Sequence, residues 1–168
     1  MVAMRMPVVG WRSVFTLLLL CLVEPTRALG AGQAPVPLSE RARGAERVVV
    51  GRVVSVTPEW QVNEFGDRLI VSVVRVGVSE TLKGEAAPIV DVEVEGGTIG
   101  TLTLHVSDQV SFAPGERATF FIRRNRRGKF VPHLRAHGLL KLDPANRVPG
   151  SSLTLDRIRR EVAAGRGR

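Results

Sequence analysis

The densest charge in the sequence is Arg123-Arg124-Asn125-Arg126-Arg127-Gly128-Lys129, five positive side chains around one hairpin tip. Such a tip attracts an acidic protein, an anionic lipid headgroup or a polyanion by screened attraction. The same charges also keep a hairpin soluble and guard a sheet edge. Arg123, Arg124, Arg126, Arg127 and Lys129 are therefore the candidate partner-binding residues. His133-x-x-x-His137 has the helical spacing of metal ligands, but Pro132 precedes it and a strand is expected there. On a strand the two rings would stand ~13 Å apart at ~3.3 Å per residue, too far to share one zinc. No glutamate completes a zincin motif. Asp91, Glu93 and Glu95 could offer clustered oxygens to a hard cation, but alternate residues on one strand face read as solvated surface. Gly96, Gly97 and Gly100 form no phosphate loop, because no Lys-Ser/Thr follows. No metal and no cofactor is expected. No serine has a nucleophile-elbow context, so a catalytic site would have to be dispersed over loops. Its best members would be His105, His133, Glu64 and Asp67, and they would have to converge in one pocket.

These residues sit in a chain of 168 residues with a net charge of +8, 44% hydrophobic content, 5% aromatics and no tyrosine. The length allows one domain of ordinary size. The first 30 residues read as an export signal rather than fold. Arg5 and Arg12 supply a positive start, Val14 to Val23 an apolar run too short to span a bilayer ~30 Å thick, and Ala28-Leu29-Gly30 a small-residue cleavage site. Cys21 after a leucine run raises a lipoprotein signal as the rival, but Leu20 is large where a small residue belongs. Cleavage near Gly30 would remove Arg5, Arg12, Arg27 and Glu24, lowering the net charge by two, and would take away Cys21, the only cysteine. The mature chain is then expected outside the cytoplasm, periplasmic or extracellular, with no disulfide, no thiol chemistry and no membrane span.

Residues 31–45 contain two prolines, small residues and charges, and read as a flexible linker. Residues 46–145 read as strands. Glu46–Thr57 is a valine run apolar on both faces, as in a central strand, with Gly51 marking a bend or bulge. Pro58–Asp67 reads as a connection and Arg68–Glu80 as the second long strand. Ile89–Glu95 alternates valines inward and acids outward. Thr101–Val106 places Leu102, Leu104 and Val106 inward and His105 outward. Arg117–Arg123, Lys129–Leu134 and Gly138–Leu142 complete the set. Strands about 10 residues apart with Gly/Pro punctuation predict an all-β fold, a small OB-like barrel or compact sandwich. Residues 146–168 are expected to form a C-terminal helix and basic tail, capped by Ser151-Ser152, with Leu155, Ile158 and Val162 on one stripe.

The order of motifs, with Leu82-Lys83-Gly84 ending the second long strand, a Gly96-Gly97 turn, and Phe112-Ala-Pro-Gly115-Glu116 before an apolar strand, resembles a widespread class of uncharacterised exported bacterial proteins. More distantly it is similar to the netrin-like domain of tissue inhibitors of metalloproteinases, an OB-type barrel. The resemblance spans about Glu46 to Leu142 and implies a fold. Those inhibitors chelate the protease zinc through an N-terminal cysteine and carry disulfides, and neither is present in the mature chain here, so no inhibitory residue carries over.

The expected function is a non-enzymatic extracytoplasmic binding module for a protein or anionic partner, with protease inhibition as the special case the resemblance implies. The alternatives are a small hydrolase-type enzyme with a loop-dispersed site, or a cell-envelope accessory protein binding acidic polymer. Nucleic acid is not an expected partner. Single strands want stacking aromatics, tyrosine is absent, and Phe120, Phe121 and Phe130 fall at core-like strand positions.

Overall fold

The two valine-rich segments form long strands, β1 (Arg47–Val62) and β2 (Arg68–Lys83), paired antiparallel along nearly their whole length in a computed structural model that describes residues 36–63 and 65–165. The expected signal peptide, residues 31–35 of the expected linker, Glu64 and residues 166–168 of the expected basic tail lie outside the described residues. β2 pairs antiparallel with β3 (Ile89–Glu95), and β3 pairs in parallel with β7 (Phe130–Pro132). β7 pairs with β6 (Arg117–Arg124), and β6 returns to the first half of β1, so the order 1-2-3-7-6-1 closes into an OB-like five-stranded barrel. Closure removes most free strand edges. β8 (Leu139–Leu142) pairs with Arg117–Phe120 of β6, on the edge that β7 uses further along, and a separate ribbon, β4 (Gly97–Ile99) with β5 (Leu102–Leu104), interrupts the chain between β3 and β6.

Period-two alternation divides the apolar side chains between two cores. Val49, Val53, Val74, Val76, Val92, Phe120 and Ile122 fill the barrel. Val48, Val50, Leu82, Phe121, Leu140 and Leu142 point the other way, where two helices cover them. The first is α1 (Leu38–Gly44), which buries Leu38 and Ala42; the second is α2 (Leu155–Gly165), which buries Leu155, Ile158 and Val162. This explains why β1 is apolar on both faces. It also corrects the expectation of a linker, because residues 38–44 form a packed helix there.

The bulge expected at Gly51 is present as a register shift between Val50 and Gly51. A Cβ there would lie 2.4 Å from Val76 Cγ1 and 2.7 Å from the Gly77 carbonyl oxygen, so only glycine admits the close approach of β2. A further shift, between Val53 and Ser55, turns Val54 outward and Val56 inward, against simple alternation. The Phe112-to-Glu116 turn satisfies that irregularity. Val53 N–H donates to Glu116 O, and Gly115 N–H donates to Val53 O, both at 2.8 Å.

The Leu-Lys-Gly motif has a structural role of the same kind. Leu82 packs under the helices, and Lys83 Nζ donates to the carbonyl oxygens of Ala42, Arg43 and Ala45 at 2.7, 3.2 and 2.6 Å. A lysine at a helix C-terminus satisfies carbonyls left without intrahelical donors and complements the helix dipole. The expected connection over Pro58–Asp67 is instead mostly strand. β1 runs on to Val62, and Pro58 is tolerated because β6 leaves β1 after Arg52. The expected caps Ser151 and Ser152 are displaced by Thr154, whose Oγ1 accepts the Arg157 N–H at 3.3 Å. Ser151 forms a local turn with Val148 and Leu153.

Candidate functional site

The distal ends of β1 and β2 run past the point where β6 leaves β1, and the turn joining them is held locally. Asn63 Oδ1 accepts the backbone N–H groups of Phe65 and Asp67 at 2.9 and 2.8 Å, and Asn63 Nδ2 donates to Asp67 Oδ2 at 3.1 Å. Gly66, at φ +87°, supplies the left-handed residue the turn requires. The turn therefore has a fixed shape, yet its apolar side chains are bare. Phe65 is 81% exposed, Val62 59% and Trp60 38%. The Arg68 guanidinium stacks over the Trp60 ring at 4.5 Å.

The basic hairpin, residues 124–130, lies beside this ribbon end. Asn125 Oδ1 accepts the N–H groups of Arg127 and Lys129, which orders the tip. Arg127 reaches across to Gln61 Oε1 and to Glu93 Oε2, the latter at 2.9 Å. Arg124 pairs with Glu46 and stacks over Phe130 at 4.6 Å. Arg124 and Arg127 thus hold carboxylates of the barrel itself. Arg123, Arg126 and Lys129 are exposed on the same hairpin. Between the hairpins lies a polar groove of about 460 Å³ lined by Glu59, Gln61, Val73, Asp91, Glu93, Arg127 and Lys129. The Arg75 guanidinium, bonded to both Asp91 oxygens at 2.8 and 2.9 Å, holds that carboxyl below its ordinary range. The acidic face expected on β3 is present, but Glu93 is nearly covered by Arg127 rather than solvated.

A second concavity opens at the barrel mouth, a cavity of about 250 Å³ under the β4–β5 ribbon and residues 105–112. His105 is on its wall. His133 lies elsewhere, so close to α1 that a Cβ on Gly44 would come within 2.2 Å of its Nε2. Burial, reinforced by Arg123, lowers the His133 pKa from its ordinary value, and its Nδ1 is buried without a hydrogen bond. Asp67 is in the β1–β2 turn. The three described members of the loop-dispersed set therefore lie on three different features. His133 and His137 do not share a strand, as the spacing argument assumed. His133 follows β7, and His137 falls in a 3₁₀ turn, Arg135–Gly138, because Leu134 and Arg135 take left-handed φ values that end the strand. Leu102, expected inward, is exposed, since β5 pairs only with β4. Among the described residues no group of three His, Cys, Asp or Glu side chains is placed to hold a metal ion, and no helix is long and apolar enough to cross a membrane.

The sequence reading missed Trp60, Val62 and Phe65 because it placed them in a connection. The signal that would have found them is the symmetry of the two valine-rich segments about Gly66, together with the same-face spacing of Trp60 and Val62. No protein-family model matches this chain, and no significant match exists among curated proteins.

Proposed function

We propose that this protein is a non-enzymatic binding module acting outside the cytoplasm, and that its partner is a protein contacting the two adjoining hairpin tips. One observation carries the reading: Trp60 and Val62 at the end of β1, and Phe65 on the ordered turn that follows, stand exposed beside Gln61, which Arg127 ties to the basic hairpin. Tryptophan, other aromatics and arginine are the residue types that dominate binding energy at protein interfaces. A turn ordered before binding loses little conformational freedom on docking. A purely anionic polymer is a poorer fit, because Arg124 and Arg127 are already paired with Glu46 and Glu93, and Glu59 and Asp91 line the groove between the tips.

The test is affinity capture from extracytoplasmic extract on the immobilised protein, beside Phe65→Ser and an Arg123→Ser/Arg126→Ser double variant. The expected result is one saturable partner, weakened at least about tenfold by Phe65→Ser and less by the double variant, with thermal stability unchanged. A partner bound equally by all three forms would refute the assignment to the tips. Catalytic turnover of the captured molecule would refute the non-enzymatic reading. A metalloprotease captured and inhibited in a fixed ratio would narrow the module to an inhibitor.

A further inference from the structure

The long β1–β2 ribbon leaves one strand edge open, and the register fixes which backbone groups line it. Along β2, the Ile70 carbonyl accepts the Gly96 N–H and the Val78 N–H donates to Pro88 O, both at 2.8 Å. Ile70, Ser72 and Val74 therefore turn their backbone groups toward β3, and Leu69, Val71 and Val73 turn theirs toward β1. Gln61, Glu59 and Thr57 stand opposite those three and share hydrogen bonds with them. The alternate residues of β1, Pro58, Trp60 and Val62, point their carbonyls away from β2, and Trp60 and Val62 point their N–H groups the same way. On that side β6 follows β1 only as far as Arg52, and the turn at residues 112–116 takes up the Val53 groups. Val56 next lines the barrel-mouth cavity together with residues 109–112. From residue 58 to residue 62, no strand and no loop backbone group bonds to the edge among the described residues.

An open strand edge is a template for one kind of ligand, another extended chain. Donors and acceptors that recur every second residue match only a backbone in the same conformation. Pro58 offers a carbonyl but no N–H and stands at the start of the open stretch, so it holds an added strand to a short length. The two faces of the stretch differ in chemistry. Trp60 and Val62 share one face, and Glu59 and Gln61 share the other. Glu59 is exposed, its Oε1 accepts from Gln61 Nε2 at 2.7 Å, and no cation pairs with it among the described residues. A matching strand therefore alternates, apolar beside Trp60 and Val62 and basic beside Glu59. A second copy of this edge is a poorer match, because residues 58–62 carry Glu59 as their only charge and bring no cation to it.

We propose that a short extended segment of a partner protein adds as a strand to the open edge of β1 at residues 58–62, with apolar and polar side chains alternating and a cation beside Glu59. This rests on the reading of the hairpin tips as a protein-binding site and names how the partner is held there, by backbone pairing as well as by side chains.

The probe is a capped peptide of about seven residues, valine at alternate positions with threonine and lysine between, titrated into the intact protein and followed by amide-resolved NMR. The Trp60 and Val62 amides are expected to shift and to exchange more slowly with solvent, while those of Glu59 and Gln61, already bonded to β2, keep their rates. The peptide valines would pair with Trp60 and Val62, so N-methylation of the valines should weaken binding at least about tenfold, and N-methylation of the intervening residues no more than about twofold. That comparison uses wild-type protein and needs no variant to fold. Val62→Pro removes an edge donor and should abolish the response, while Val62→Thr keeps it. The proposal is overturned if the peptide leaves the edge amides unmoved up to about 1 mM, or if the two methylated peptides bind alike. It is also overturned if the free protein is a dimer with Trp60 and Val62 amides already protected, which would give the edge to a second copy. A captured protein lost by Phe65→Ser but retained by Val62→Pro would overturn strand addition and leave the tip reading standing. A captured protein bound equally by wild type and Phe65→Ser would instead refute the tip reading, whatever the peptide does.

Discussion

The same barrel carries two apolar surfaces on its outside, and they are treated in opposite ways. On the flank, Val48, Val50, Leu82 and Phe121 are sealed beneath α1 and α2. At the far end of the β1–β2 ribbon, Val62 and Phe65 stand open to solvent, and Trp60 is covered on one face by Arg68 alone among the described ring contacts. The flank is apolar because the fold needs it, since two helices are fixed there by burial and α1 also by the Lys83 cap. The ribbon end lies past the closed part of the barrel, so its side chains can change without opening the core. Exposed apolar residues say most when they sit where the fold does not require them.

That contrast can be broken by substitutions on either side. The largest expected effect is Phe121→Ala, which empties a fully buried site between barrel and helices and should cost about 3–5 kcal/mol in denaturant unfolding. Lys83→Met removes three hydrogen bonds from a charged donor but keeps an apolar stem of similar length. It should cost about 1–2 kcal/mol, with faster amide exchange in α1 as the sign that the helix has loosened. Thr154→Ala removes the α2 cap and should cost about 1 kcal/mol by the same unfolding assay. Phe65→Ser should change stability by no more than about 0.5 kcal/mol. A loss as large as that of Phe121→Ala would mean the ribbon end belongs to the core, and the contrast between the two surfaces would fail.

pH sharpens the comparison further, because the flank contains a half-buried histidine, His133, and the tips contain none. The folded pKa of His133 lies below its ordinary value of about 6.5. The unfolded chain therefore takes up the proton first on acidification, and folding stability is lost as pH falls through 6.5 toward the lower, folded value. His133→Gln should flatten unfolding free energy across that window. An unchanged pH profile in the variant would show that His133 carries no such linkage.

How much of this was legible in the sequence follows the same division. The barrel was readable, because valine alternation reports which faces are buried, and the glycine at position 51 reported a bulge. The helix stripe of Leu155, Ile158 and Val162 was readable for the same reason. The helix α1 was not. Its seven residues are too few to show periodicity, and it is held by Lys83, distant in sequence. Proline at 58 masked the continuation of β1, since its penalty depends on whether a neighbouring strand needs its N–H, and that is set by tertiary pairing. The basic run was visible, but not that Glu46 and Glu93 would take up two of its arginines. Those carboxylates lie 78 and 34 residues away along the chain.

The parallel joint between β3 and β7 has a consequence for how the chain assembles. β1 and β2 are neighbours in sequence and can zip from their turn, whereas β3 and β7 meet through the single register pair Val92 and Phe130 after a long excursion. Long-range pairing bears its loop entropy before contacts repay it, and the β1–β6 seam, which closes a longer loop, repays it with six register pairs against the single pair here. The ring is therefore expected to shut last at this joint, and to come apart there first. In hydrogen exchange, amides of β7 should then open at lower free energy than those at the centre of β1 and β2, making the molecule a stable ribbon with a latch rather than a uniformly rigid cylinder.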